Sequence, residues 1–277
     1  MIILKETIIL KAINEASKLI YSEDFSNNNK LKSEFFTRNR KMNFPMIILC
    51  ILNFMKKTLQ VELNNFNKLI LKLDVSISKV AFSKARRKIS PNAFIELFNL
   101  TSKLWLEENE YKTYQNHRIF AIDGSIIQLE NTKELLDEFG YLGSNKTACR
   151  ARASILCDVL NGVVVHSELK SIQVDERTMA LNHINYFDEY AKENDIIIFD
   201  RGYPSKKLIA MFDSKKWKYL MRVSKGFNPQ IDNSTEQEFY ITICYDNKDY
   251  KVRVLKLKLQ TGETEILLTN IDEKDFK

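Results

Sequence analysis

Apolar and polar positions divide the chain into a helical first part and a strand-rich remainder. Leu59, Leu63, Phe66, Ile70 and Leu73 recur at i, i+4, i+7, i+11 and i+14, one stripe of an amphipathic helix. Ser90-Pro91 reads as the N-cap and first position of a further helix, which buries Phe94, Leu97, Phe98, Thr101, Leu104 and Trp105. Between them, residues 79–89 predict a helix burying Phe82, Ala85 and Ile89 while Lys84, Arg87 and Lys88 project from another face. The most apolar run, residues 46–55, is too short to span a bilayer and predicts a buried helix.

From residue 114 the pattern changes. Residues 118–125, R-I-F-A-I-D-G-S, and 194–205, N-D-I-I-I-F-D-R-G-Y-P-S, are each a short apolar run ending in an aspartate and a glycine turn. Such runs suit strands buried on both faces, and an acid at the end of one sits where open α/β sheets place their ligand crevice. A helix cap or a surface carboxylate is the bland alternative for Asp123 and for Asp200. Between the two strands, 151–160 and 163–169 flank Asn161-Gly162, a hairpin signal. Met179, Leu181, Ile184 and Phe187 then give residues 175–190 a mostly helical spacing, enough to return the chain across the sheet. A right-handed crossover would lay the Asp200 strand parallel to the Asp123 strand, bringing both carboxylates to one edge. Two bare carboxylates at that distance need a shared proton or divalent cations.

Residues 219–223 predict the last strand of that sheet, after a short helix around 207–212. From Glu238 the period is two: Phe239, Ile241 and Ile243 alternate, as do Leu255, Leu257 and Leu259 opposite Lys256 and Lys258. Tyr250, Val252 and Val254 run one step out of phase with that later set, which predicts a β-bulge near Val254. Gln260-Thr261-Gly262 turns the chain into a last strand over 265–269.

Charge sharpens the division. Residues 1–113 hold 19 Lys and Arg against 11 Asp and Glu, whereas 114–277 hold 23 against 25. The overall +6 therefore belongs to the first third. Arg38, Arg40, Lys41, Lys56, Lys57, Lys84, Arg86, Arg87 and Lys88 form a candidate phosphate-binding footprint there, with an ordinary solvated basic surface as the alternative. Glu107-Glu108-Asn109-Glu110 marks an exposed exit toward a second domain. With 277 residues, 44% of them hydrophobic, and only 7 Gly and 4 Pro, the chain can bury a sizeable core in two domains, 1–113 and 114–277. Cys50, Cys149, Cys157 and Cys244 have no metal-finger spacing and read as reduced thiols. Lys5, Glu6 and Lys11 interrupt the N-terminal apolar residues, unlike the apolar region of a signal peptide.

The order strand-Asp-Gly-Ser, hairpin, Asp-Glu-Arg helix, strand-Asp-Arg-Gly-Tyr-Pro-Ser resembles the DDE-type insertion-sequence transposases, specifically insertion-sequence family four. The blocks F-T-R-N-R-K (36–41), A-F-S-K-A-R (81–86), Y-L-M-R-V (219–223) and G-E-T-E-I-L-L-T-N (262–270) follow in that family's order. The resemblance implies an α/β, RNase H-like mixed sheet with a β-rich insertion over about 227–270, preceded by an all-α DNA-binding domain. It implies Mg²⁺, with Mn²⁺ as a substitute, on Asp123 and Asp200 as catalytic carboxylates. It further implies contacts to double-stranded DNA, the insertion-sequence ends, from Arg38, Arg40, Lys84, Arg87 and Lys88, and from Arg201, Tyr203, Arg222 and Lys225 near the expected active edge, where a salt bridge or a packed aromatic is the alternative for each. No membrane partner is expected; a homodimer and a cytoplasmic, nucleoid-associated bacterial location fit the resemblance.

The third acid departs from it. The family's last signature runs Tyr, two residues, Arg, three residues, Glu, six residues, Lys. Tyr219 and Arg222 begin it but Gly226 stands at the glutamate position; Tyr250 and Arg253 begin it again and Leu257 breaks it. The expectation is a C-terminally truncated, catalytically impaired transposase. Glu176, at the start of the crossover helix, is the best internal substitute, though acids are favourable in any first helical turn. Glu263 and Glu265 are expected to face solvent. Alternatives are a non-catalytic DNA-binding remnant that regulates transposition, and an unrelated metal-dependent nuclease of the same fold.

Overall fold

The computed structural model describes residues 2–38, 40–53, 57–70, 77–108, 111–143 and 148–273. Lys56, Leu73, Asn109 and Glu110, and the end of the apolar run at Phe54 and Met55, lie outside the described residues. Two compact units divide the chain, Met1–Trp105 and Leu106–Lys277.

The first unit is helical: α1 (Ile2–Ile20), α2 (Glu23–Asn29), α3 (Phe44–Leu52), α4 (Leu59–Asn65), α5 (Lys79–Arg86) and α6 (Asn92–Leu106). Asn43, whose side chain accepts from the Met46 amide, and Pro45 start α3, and its residues Ile47, Ile48 and Cys50 are fully buried. Around them pack Phe25, Phe44, Leu63, Phe66 and Phe82, with Phe44 meeting Phe25 and Phe36 edge-on. Each such side chain contributes roughly 1.5–3 kcal/mol on burial, which makes this run the centre of the unit. The stripe at 59–73 begins as expected, with Leu63 and Phe66 in the core, but the backbone widens to a π-helix over Phe66–Ile70. Gln60 ties α4 to α5 by donating to the Ile77 carbonyl and accepting from the Lys79 amide. The expected helix over 79–89 ends early, at Arg86, because Ile89 leaves it to bridge Lys30. Ser90 caps the next helix through its hydroxyl, which accepts from the Asn92 amide.

The second unit is built on one eight-stranded sheet with strand order β3-β2-β1-β4-β5-β8-β7-β6. The strands are β1 (Arg118–Gln128), β2 (Arg150–Asp158), β3 (Val163–Ser171), β4 (Asp195–Phe199), β5 (Lys218–Val223), β6 (Glu238–Tyr245), β7 (Lys248–Lys258) and β8 (Thr264–Thr269). The first three are antiparallel, while β4 and β5 run parallel to β1. That 3-2-1-4-5 mixed sheet, with helices between its strands, is the RNase H-like fold. The helices are α7 (Lys133–Phe139), α8 (Glu176–Phe187), α9 (Lys206–Lys215) and α10 (Pro229–Asn233). Asp175 caps α8, accepting from the Thr178 amide. Phe187 of α8 and Phe212 of α9 join Phe120, Phe199, Trp217 and Tyr219 in an aromatic layer against the parallel strands.

Two expectations need correction. β5 is not the last strand: β8 pairs with it antiparallel, so the β-rich insertion extends the same sheet. Nor does β7 carry a bulge near Val254, since its register with β6 and with β8 is continuous. The phase change arises because β7 buries residues on both faces, Val252 and Val254 on one and Arg253 on the other, where it bonds Glu238 and the Ile271 carbonyl. A register shift occurs instead in the hairpin, at Leu156/Cys157. Among the described residues, no helix is long and apolar enough to cross a membrane.

Candidate active site at the ends of the parallel strands

Register decides which side chains share an edge. Ile122 of β1 pairs with Phe199 of β4, and Phe199 with Met221 of β5. One step further along stand Asp123, Asp200 and Arg222, a row across three strands spaced about 4.8 Å apart. Both carboxylates are exposed. Asp123 Oδ1 accepts from the Gly124 amide at 2.9 Å, and Asp200 turns the chain by accepting, through its carbonyl, from the Tyr203 amide at 3.1 Å.

Close approach favours the glycines near the aspartates. A Cβ on Gly124 would stand 3.1 Å from the Tyr203 hydroxyl and 3.5 Å from Glu176 Cγ, and one on Gly202 would stand 3.1 Å from Glu176 Oε2. Glu176, the first residue of α8, therefore reaches the same edge, but Arg152 Nη1 holds its Oε1 at 2.6 Å. Tyr203 takes the packed-aromatic alternative rather than a place on a phosphate: it is 2% exposed, with its ring near Phe199. Burial, with the Glu176 and Asp123 carboxylates beside it, pushes its phenol up to about 12, so it stays neutral. The buried Nε of Arg152 has no hydrogen-bond partner among the described residues.

On the other side of Asp200 lies a set of ion pairs, the alternative left open for Arg201 and Arg222. Arg222 donates through Nη1 to Asp200 Oδ1 at 3.0 Å, and through Nε and Nη2 to the two oxygens of Glu265 at 2.9 and 2.8 Å. Arg201 Nη2 contacts both oxygens of the same carboxylate at 3.2 and 3.0 Å. Glu265 is thus not solvent-facing: it is 8% exposed, and its bonds to Arg222, then Arg201, hold its carboxyl below the usual range. Glu263 is exposed, as expected. Lys225 is exposed on the turn after β5.

Beneath Asp123 runs a buried polar relay, also missed. Ser154 Oγ donates to the Asp123 carbonyl at 3.3 Å, His183 Nε2 lies 2.9 Å from Ser154 Oγ, and His166 Nδ1 lies 2.7 Å from His183 Nδ1. One consistent proton assignment has His166 donating to His183 and His183 donating to Ser154. Burial pushes His183 down to about 3, with His166 adding to the effect. The available signal was His183's place on the α8 stripe, four residues after Met179.

In the first unit, Arg38, Arg40, Lys84 and Lys88 line one groove of about 660 Å³ together with Phe35 and Phe36. Lys88 and Lys32 stand over the Phe35 ring at 5.0 and 5.9 Å. Arg87 is exposed at the end of α5 and does not line the groove.

For a divalent cation the donor set is suitable but incomplete. Asp123 and Asp200 are adjacent hard oxygen donors, yet among the described residues no three His, Cys, Asp or Glu side chains converge on one point. Glu176 and Glu265, two further acids at this edge, are each engaged by arginine.

The family model of the transposase DDE domain matches residues 114–276. A piggyBac transposase, solved by cryo-EM as a synaptic complex with hairpin DNA, resembles the fold with a TM-score of 0.55 at 11% identity. The likeness covers 93% of this chain, which spans 60% of that one. No curated protein matches the sequence.

Proposed function

The chain belongs to the transposase DDE domain family, and from that premise we propose that it acts, with impaired catalysis, on double-stranded DNA in the transposition of an insertion sequence. The observation that supports this most is the register step that makes Asp123 and Asp200 neighbours on parallel strands. Asp123 and Asp200 would hold Mg²⁺, or Mn²⁺ in its place. Bound there, the cation supplies activation of an attacking hydroxyl and stabilisation of the leaving oxygen in in-line transfer at phosphorus.

The chain's own residues do the rest. Arg201, Arg222 and Lys225 hold phosphates beside the carboxylates, where a guanidinium fork matches phosphate geometry. Tyr203, neutral and buried, fixes the turn after Asp200 without carrying charge into the site. Arg38, Arg40, Lys84, Arg87 and Lys88 neutralise backbone phosphates along the duplex. The end sequences of the element would be read elsewhere than by this non-specific charge.

A second reading is favoured by the incomplete donor set: the chain occupies insertion-sequence ends and regulates transposition without cutting. Duplexes carrying the element's ends and random duplexes, each incubated with Mn²⁺ and the wild type or Asp123→Asn, separate the two. Asp123-dependent cleavage of end duplexes supports the enzyme; selective binding without cleavage supports the regulator; neither binding nor cleavage overturns both.

A further inference from the structure

Arg201 and Arg222 are placed by a carboxylate rather than by the aspartates they flank. Leu267 of β8 pairs with Arg222 of β5, so Glu265, two residues before Leu267, is the diagonal neighbour of Arg222 on the same face. It takes the Nε/Nη2 edge of Arg222 in a two-bond fork and the Nη2 end of Arg201 in a second. Of the five N–H donors on each guanidinium, Arg222 turns one more toward the exposed Asp200, and Arg201 keeps its Nε and Nη1 groups unbonded among the described residues. A plain salt bridge would spend these donors. Here one shielded acid orients two cations and leaves their outer edges open to an anion. The pair at Asp200 is 42% and 57% exposed, so it gives way readily.

We infer that Glu265 is a positioning residue that holds Arg201, next to Asp200, and Arg222, on the neighbouring β5, as a preorganised fork for a DNA phosphodiester. Arg222 Nη1 is the donor that leaves Asp200 for a phosphate oxygen. The inference rests on the proposed action on DNA and names a residue and a placement which that reading does not contain.

The sign of one substitution separates positioning from simple charge. Glu265→Gln removes a negative charge near phosphates, so electrostatics alone predicts tighter DNA binding and a steeper salt dependence. Loss of the fork predicts the reverse, binding to a random-sequence duplex weakened roughly five-fold with the slope of log K against log salt reduced by about 1. Binding of the full chain is measured across a salt series, with melting curves to establish folding. Arg222→Lys, which keeps net charge but cannot form the fork, should show the same loss and answers the question if Glu265→Gln does not fold. In an Arg201→Ala/Arg222→Ala background, Glu265→Gln should cause no further loss. Wild type that binds with a steep slope, alongside Glu265→Gln or Arg222→Lys variants that bind equally or more tightly, overturns the inference and leaves the DNA reading standing. Wild type with no salt-dependent duplex binding overturns the DNA reading itself, and the inference with it.

Discussion

Arg222 donates to Asp200 across 3.0 Å, placing a cation on a carboxylate that the proposed chemistry reserves for a metal. Both partners are substantially exposed, so the pair contributes little to stability. A divalent cation, which gains far more from two adjoining carboxylates, should displace it. The pair should therefore lower metal affinity without abolishing it.

Mg²⁺ or Mn²⁺ should raise the melting temperature of the wild type, because a ligand that binds only the folded state stabilises it. Asp123→Asn should remove most of the rise. Arg222→Ala, by freeing Asp200, should tighten Mn²⁺ several-fold by calorimetry, about 1 kcal/mol. Equal metal stabilisation of wild type and Asp123→Asn would point to surface binding elsewhere.

The strand pair behind this site was legible because each strand is an unbroken apolar run closed by Asp and Gly, and the Asn161-Gly162 hairpin and the α8 stripe supply the crossover. Glu265 was not legible. Its partners lie 43 and 64 residues away, and only the pairing of β8 with β5 brings them together. Period alone also misled at β7, where burial on two faces imitates a bulge. His183 was hidden in an apolar stripe, since a helical pattern shows which side is buried but not that a polar relay runs through it.

Charge reversal tests the first unit. Changing Lys84, Arg87 and Lys88 to Glu in the full chain should weaken duplex binding more than the same change at the exposed Lys11, Lys18 and Lys68. Within the first set, Lys84 and Lys88 should matter most, because they share a groove with Arg38 and Arg40. Indistinguishable losses from the two triples in a salt-series binding assay would defeat the choice of surface.

Acid should destabilise the second unit through His183. Its pKa falls from about 6.5 in the unfolded chain to about 3 in the fold, so the unfolded state binds more protons between those values. The contribution is fully present above the unfolded pKa and is lost as pH falls toward the folded one. His166, lowered chiefly by burial against the opposing pull of Glu168, acts in the same direction. Between pH 6.5 and 5.5 the His183 contribution should cost about 1 kcal/mol. Denaturant melts should show this slope in the wild type and a shallower one in His183→Gln.

Arg118 and Asp195 make the test of folding independent of function. They pair at the opposite ends of β1 and β4 from the aspartates, 3% and 5% exposed, with Nε–Oδ1 at 2.6 Å. Arg118 also donates to the Tyr190 carbonyl, and Asp195 also accepts from the Lys192 amide. Removing one partner strands a buried charge, which costs about 3–5 kcal/mol. Arg118→Ala should lower the urea midpoint far more than Arg222→Ala does.

The 277-residue chain should bind duplex DNA but nick it little above background. In-line transfer depends on two stabilised oxygens, and two aspartates hold one cation more readily than a pair. Glu176 reaches the edge, but releasing it would leave Arg152, only 16% exposed and already short of a partner at Nε, with a buried charge uncompensated. Glu265 would have to abandon two arginines at once. Neither acid is therefore free to complete the metal cage. Nicking of supercoiled plasmid in Mn²⁺ should be the same for wild type and Asp123→Asn. Strong nicking that disappears in Asp123→Asn would overturn this, and loss of that activity in Glu176→Gln, with Mn²⁺ affinity falling in parallel, would then identify Glu176 as the third ligand.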